Sequence, residues 1–120
     1  MNKLGLVGRS LTHSFSEAYF ASFFEARGLT AHYRYDNYPL QEIEQISTIF
    51  QIPQLRGLNV TIPYKQSVIL YLDALSMHAR AIGAVNTILL HRGQKIGFNT
   101  DYIGILAILD QLLIVMLKVL

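Results

Sequence analysis

The chain contains no cysteine. That excludes a disulfide framework, a thiolate zinc site and a thiol nucleophile, and it is compatible with a reducing cytosol. The four histidines, His13, His32, His78 and His91, stand far apart and lack the spacing of a metal site. Charge is scarce as well: 15% of the residues are charged, and ten Lys and Arg against eight Asp and Glu leave a net charge of +2. The basic residues are scattered singly, whereas nucleic-acid binders concentrate them on one face or run, so no nucleic-acid partner is expected. The eight glycines contain no G-x-G-x-x-G, the usual dinucleotide fingerprint. There is no internal repeat and no low-complexity stretch.

The two ends are also short of targeting signals. Residues 1–8 hold one Lys and a few apolar residues before Arg9, too little for the apolar core of a signal peptide, and a cytoplasmic protein is the expectation. Residues 103–120 are apolar except for Gly104, Asp110, Gln111 and Lys118. Those interruptions keep the stretch short of a membrane span, and no membrane partner is expected.

What is abundant is core-forming material: 52% of the 120 residues are hydrophobic. A 13.6 kDa chain has room for one core and buries about two-thirds of its unfolded surface. Residues 3–8 read as a short buried strand closed by glycine. From residue 14 the positions Phe15, Ala18, Tyr19, Ser22, Phe23 and Ala26 fall at helical spacing, with Gly28 where a helix end wants a positive φ. Residues 31–38 are aromatic-rich with His32, Arg34 and Asp36 alternating, the pattern of a half-exposed edge strand ended by Pro39. Leu40, Ile43, Ile46 and Ile49 mark a second amphipathic helix, and residues 57–61 a third strand. A helix is expected to begin at Pro63 and to continue loosely through Val68, Ile69, Leu72 and Leu75 towards Gly83. Residues 85–90 and 95–98 are two strands joined tightly through Arg92, Gly93 and Gln94, and a last helix begins near Thr100. The fold class is therefore α/β, a layered domain with a mostly parallel mixed sheet flanked by helices.

In an open parallel sheet, ligands bind beyond the carboxyl ends of the strands. Four polar segments are expected near such ends: GRSLTHSFS (8–16), NVTIPYK (59–65), Asn86 with Thr87, and NTD (99–101). Hydroxyls, carboxamides, one Lys and one Asp suit a small polyhydroxylated anion. Hydroxyls and a helix N-terminus receive a carboxylate, while amides and a Lys with an Asp hold alcohols. Each segment also has a plainer reading. Ser14 and Ser16 are suited to cap the following helix, as are Thr100 and Asp101 for the last one. Lys65 reads as solvated surface, and Asn86 as a turn residue that satisfies backbone groups.

Taken together, GRSLTHSFS, GLNVTIPYK, IGAVNT and GFNTDYIG resemble the substrate-binding domain of shikimate dehydrogenases, over nearly the whole length from Lys3 to about Gln111. The resemblance implies oxidation of shikimate to 3-dehydroshikimate, or the reverse, with a nicotinamide cofactor, usually NADP. It implies that Ser14 and Ser16 bind the substrate carboxylate, that Asn59, Thr61, Asn86 and Asp101 hold ring hydroxyls, and that Lys65 and Asp101 form the catalytic pair. A carbinol carbon gives up hydride only as its hydroxyl proton is taken, and a lysine of lowered pKa takes such a proton. An aspartate about 4 Å away attracts the ammonium by about 4 kcal/mol at an effective dielectric of 20, which raises the lysine pKa. A working base therefore needs partial burial, or a proton passed on through Asp101.

Two positions depart from the family pattern: Ser10 and Glu17 stand where prolines are common. A cofactor domain of the kind that follows in family members is not expected in these 120 residues. The expected organisation is a substrate domain over residues 1–111 and an apolar tail over 112–120 that drives self-association. A different class stays open beside the enzyme: a non-catalytic module that binds shikimate or quinate, or only self-associates.

Overall fold

A computed structural model describes residues 1–12 and 15–100. The element order is β1 (Asn2–Gly8), α1 (Ser16–Ala26), β2 (Tyr33–Pro39), a 3₁₀ turn (Ile43–Gln45) running into α2 (Ile46–Ile49), β3 (Leu55–Val60), a 3₁₀ turn (Ser67–Tyr71), β4 (Ala74–Leu75), α3 (Met77–Ile82), β5 (Thr87–His91) and β6 (Gln94–Phe98). The strands form one sheet in the order β2-β1-β3-β5-β6-β4. β1 pairs parallel with both β2 and β3, β4 pairs parallel with β6, and the β5–β6 hairpin joins antiparallel to β3. The mostly parallel mixed sheet expected from the sequence is what forms.

β1 is central and buried on both faces, which is why it reads as an unbroken apolar run. On one face Leu4 and Leu6 meet Phe20, Phe23 and Phe24 of α1 and Tyr33 and Tyr35 of β2. On the other, Val7, Leu58, Val60 and Ile88 pack with Ile46, Val68, Ala79 and Val85. The two layers follow from strand periodicity: register partners Leu4↔Tyr35 and Leu58↔Ile88 point to the same side, and their chain neighbours to the opposite one.

The buried face of α1 differs from the expected one. Phe20, Phe23 and Phe24 are inside, whereas Phe15 is 86% exposed and Ala18, Ser22 and Ala26 are exposed with it. Apolar residues surround this helix, so spacing alone does not select a face. Ring stacking does, with Phe20 on Tyr35 at 4.3 Å and 13° and Phe24 on Tyr33 at 5.4 Å and 28°. Gly28, just past the helix, has φ 67°, and Leu29 N–H closes the end on the Phe24 carbonyl at 2.8 Å.

Residues 63–83 also depart from the single loose helix expected. Asp73 interrupts it by pairing with β6: its N–H donates to the Lys95 carbonyl at 2.8 Å, and its carboxylate accepts the Lys95 N–H at 2.7 Å. The apolar residues that suggested a helix are instead spent on a 3₁₀ turn and on the short edge strand β4. Ser76 then starts α3 afresh, its Oγ accepting the Ala79 N–H at 3.1 Å. At the hairpin tip Arg92 and Gly93 both have positive φ, 51° and 77°, the signature of a two-residue primed turn. The expected last helix and the 112–120 tail lie outside the described residues.

Candidate functional site

The sheet topology brings the polar segments to one edge. Gly8 ends β1 and Val60 ends β3, so residues 9–12 and 61–65 leave the sheet side by side. β5 runs the other way. Asn86 and Thr87 therefore lie at its amino end, opposite Asn59, and beside Phe98 at the end of β6. The hairpin reversal thus brings the Asn86 segment to the carboxyl ends of β1 and β3, although it precedes a strand instead of following one.

Backbone hydrogen bonds hold these segments together. Thr61 N–H donates to the Val7 carbonyl at 2.9 Å, Val60 N–H to Asn86 at 2.8 Å, Asn86 N–H to Phe98 at 3.0 Å and Val85 N–H to Lys65 at 2.7 Å. Gly8 permits the closest approach. A Cβ there would lie 2.6 Å from Thr61 Cγ2 and 2.8 Å from Leu11 Cδ2, so glycine lets both residues close over the end of β1. The turn after β3 contains a cis Ile62–Pro63 bond, and within it buried Tyr64 donates its hydroxyl to the Leu40 carbonyl at 2.5 Å. Lys65 follows with its side chain exposed and without a hydrogen bond or ion pair among the described residues.

Asn86 is half-buried and its carboxamide is heavily used. Nδ2 donates to the Thr100 carbonyl, while Oδ1 accepts Thr100 N–H at 2.9 Å and the Thr87 hydroxyl at 3.2 Å. Thr87 is buried and also meets the Thr100 hydroxyl at 3.2 Å. Asn99 donates to the Ala84 carbonyl at 3.0 Å. Asn86 is therefore the clamp on the peptide immediately before Asp101. Its backbone-satisfying role is real, and among the described residues one Nδ2 proton has no partner.

Ser16 opens α1 but does not cap it: the capping position is Phe15, and no side chain accepts a hydrogen bond there. Its hydroxyl instead hydrogen-bonds with that of Tyr35. Asn59 Nδ2 donates to the same Tyr35 oxygen at 2.7 Å. Burial pushes the Tyr35 hydroxyl up to about 12, so it remains a neutral phenol across the physiological range. Glu17, one of the two departures from the family pattern, accepts the Asn37 N–H at 3.1 Å and so ties the first turn of α1 to the edge strand.

Ser16, Asn59, Thr61, Lys65 and Asn86 are thus brought to one edge, while Ser14 and Asp101 lie outside the described residues. Tyr35 joins the cluster unannounced by sequence. In β2 it is one of several alternating aromatics, and only its opposition to Leu4, one strand from Asn59, distinguishes it. Among the described residues no group of His, Cys, Asp and Glu could hold a metal, and no helix is long and apolar enough to cross a membrane.

Hydroxyl, carboxamide and lysine side chains along one edge of a mixed α/β sheet stand where open α/β domains generally take their ligands. Residues 6–88 match the family described as the shikimate dehydrogenase substrate binding domain. The chain belongs to that family. A shikimate dehydrogenase (NADP(+)) of Staphylococcus epidermidis is 37% identical over 102 residues, covering 85% of this chain and 38% of the relative. The crystal structure of shikimate dehydrogenase 1 from Peptoclostridium difficile superposes with a TM-score of 0.78 at 39% identity, over 88% of this chain and 40% of that one. That of shikimate 5-dehydrogenase from Thermus thermophilus in complex with NADP(H) and shikimate gives 0.75 at 32% identity, over 92% and 42%. The chain spans about two-fifths of the length of these relatives.

Proposed function

We propose that this chain is the substrate-binding and catalytic half of a shikimate dehydrogenase, an oxidoreductase interconverting shikimate and 3-dehydroshikimate. The observation that carries the reading is the convergence of residues 8–12, Ser16, 59–65, 86–87 and 98–100 on one edge of the sheet in a chain of this family. Ser14 and Ser16 receive the carboxylate, and at Ser16, the first residue of α1, the positive end of the helix adds to the hydroxyl. Asn59 and Thr61 hold ring hydroxyls by their donor and acceptor atoms, Asn86 by the Nδ2 donor its clamp does not use, and Asp101 is assigned to the same hydroxyls. Lys65 takes the proton of the hydroxyl that becomes a carbonyl, and Asp101 orients the lysine.

The turns at this edge carry hydroxyl and carboxamide side chains in place of a glycine-rich phosphate cradle. The described residues do not fit NADP, the cofactor named for the relatives, and that cofactor is assigned to a separate domain. What this chain's own residues do is bind, orient and move a proton. The substrate domain is assigned to residues 1–111, with self-association through the 112–120 tail and a cytoplasmic setting as parts of the same reading.

A shikimate titration tests the proposal. Ligand at a hundred times its Kd adds about 2.7 kcal/mol to the stability of a chain that binds only when folded. Millimolar shikimate is expected to raise the melting temperature and to shift amide resonances of residues 59–65 and 86–87. An unchanged melting temperature together with an unchanged spectrum refutes it. Binding of shikimate with no turnover, once a nicotinamide-binding domain is supplied, would favour the non-catalytic module.

A further inference from the structure

Glu17 places a negative charge beside the part of the site that is assigned to the ligand's own negative charge. It follows Ser16 in the first turn of α1, and its Oε2 accepts the Asn37 N–H at 3.1 Å. Asn37 lies two residues before the end of β2, in register with Leu6, whose partner on the other side is Asn59. The carboxylate is thereby tethered to the carboxyl-end edge of the sheet, the edge that also carries Ser16, Asn59 and Thr61. Burial is the main reason that the Tyr35 hydroxyl keeps its proton, and the Glu17 charge adds to it, so the field of Glu17 reaches the oxygen that Asn59 and Ser16 meet.

No ion pair cancels this charge among the described residues. The ion pairs there join Arg34 to Asp36 and Lys95 to Asp73. Arg34 is the one cation of β2, and it is held by Asp36 at 2.8 Å. Strand alternation sets both on the face of β2 opposite to Tyr35 and Asn37. Helix α1 supplies no cation either, since its other charged residue is Glu25. What balances Glu17 is the Asn37 N–H and the positive end of α1, and that same helix end is assigned to the ligand carboxylate. Two anions therefore compete for one helix terminus.

We propose that Glu17 is a specificity-determining residue that turns the site against anionic ligands, weakening a substrate whose carboxylate lies at Ser16 and leaving an uncharged ring polyol unaffected. The inference rests on the shikimate-binding reading and adds a charge selectivity to it.

Glu17→Gln keeps the side-chain length and an acceptor for the Asn37 N–H and removes only the charge. Affinities for shikimate and for its uncharged methyl ester are measured calorimetrically for the unmodified chain and the variant, at about 20 mM and about 500 mM salt. Shikimate is expected to bind the variant about three- to tenfold more tightly at low salt and within about twofold at high salt, where exposed charges are screened. The ester is expected to bind both chains alike. Equal or weaker shikimate binding by the variant overturns the inference and leaves the shikimate reading standing. So does a gain of the same size for the ester, or one that high salt leaves intact. Absence of shikimate binding by both chains overturns both. Should Glu17→Gln not fold, Glu17→Pro makes the same comparison, because the N–H of the second helical residue has no partner within the helix to lose. The same salt-sensitive gain for shikimate is expected there, and its absence overturns the inference.

Discussion

Replacing Asn86 by alanine separates its clamp role from its proposed ligand role. The backbone bonds of residue 86, from Val60 N–H to its carbonyl at 2.8 Å and from its own N–H to Phe98 at 3.0 Å, survive the substitution. Three side-chain bonds do not. The Thr100 carbonyl loses a donor, Thr100 N–H loses its acceptor at 2.9 Å, and the Thr87 hydroxyl loses an acceptor at 3.2 Å. A typical intramolecular hydrogen bond contributes about 1 kcal/mol net, so the sum is about 3 kcal/mol. Thr100 is half-buried and regains part of this from water, and the Thr87 hydroxyl retains Thr100 Oγ1 at 3.2 Å. A loss of about 2 kcal/mol is the working value.

For a domain of this size that is a fall of about 8 °C in melting temperature, measured by circular dichroism with urea titration as a check on the slope. Thr87→Val, which keeps the shape and removes one hydroxyl, is expected to cost about half as much. The clamp also fixes the peptide before Asp101, so Asn86→Ala should weaken shikimate by more than the loss of one direct contact. A melting temperature within about 2 °C of the unmodified chain would refute the clamp. A stability loss with unaltered shikimate affinity would leave Asn86 as a turn residue only.

Other expected outcomes test the fold and the chemistry. Gly5→Ala should cost about 3 kcal/mol, because its Cβ would lie 2.6 Å from the Asp36 carbonyl oxygen, a backbone atom that moves only if the β1–β2 pairing yields; a urea midpoint close to the unmodified one would sink this. Gly97→Ala should cost less, about 1 kcal/mol, since its neighbours at 2.6–2.9 Å are side-chain ends of Leu72, Val85 and Leu75. The Tyr35 hydroxyl, raised to about 12 by burial, holds its proton more tightly when folded than when unfolded. Its contribution, about 2–3 kcal/mol, is therefore complete below pH 10 and lost as pH rises towards 12, and Tyr35→Phe should flatten alkaline unfolding in that window. With the nicotinamide-binding domain of a relative fused to the chain, Lys65→Ala should lower kcat by about 10²- to 10⁴-fold with a smaller change in KM, and a near-normal kcat would return Lys65 to the role of surface residue.

Strand positions are the most legible part of this fold, because a strand's signal is local. The apolar run closed by Gly8, the alternation before Pro39 and the Arg92–Gly93 turn all reappear in the structure within two residues of where they read. Helices are less legible where they have no unique apolar face. In α1 the choice among aromatic faces is made by rings on β2 that lie outside the helix's own window. In residues 63–83 the apolar spacing is genuine, but Asp73 finds better partners on β6, 22 residues away, than a helix would give it.

The site divides along the same line. Each polar segment is visible in sequence as a cluster of residue types, whereas the relation between clusters depends on strand direction. Asn86 stands at the start of its strand, and only the antiparallel hairpin makes that start an end shared with β1 and β3. Tyr35 is harder still to see, since its hydroxyl has no distinguishing sequence context and acquires one from Ser16 and Asn59, 19 and 24 positions away. A parallel sheet collects the ends of strands that are distant in the chain, so one edge of β1 and β3 gathers donors from four segments while the core behind them remains apolar. The polar edge and the apolar layers are therefore products of one alternation. Within the strands the apolar residues pack up to Val60, and just past the end of β3 Thr61 and Lys65 are released to carry a hydroxyl and an ammonium.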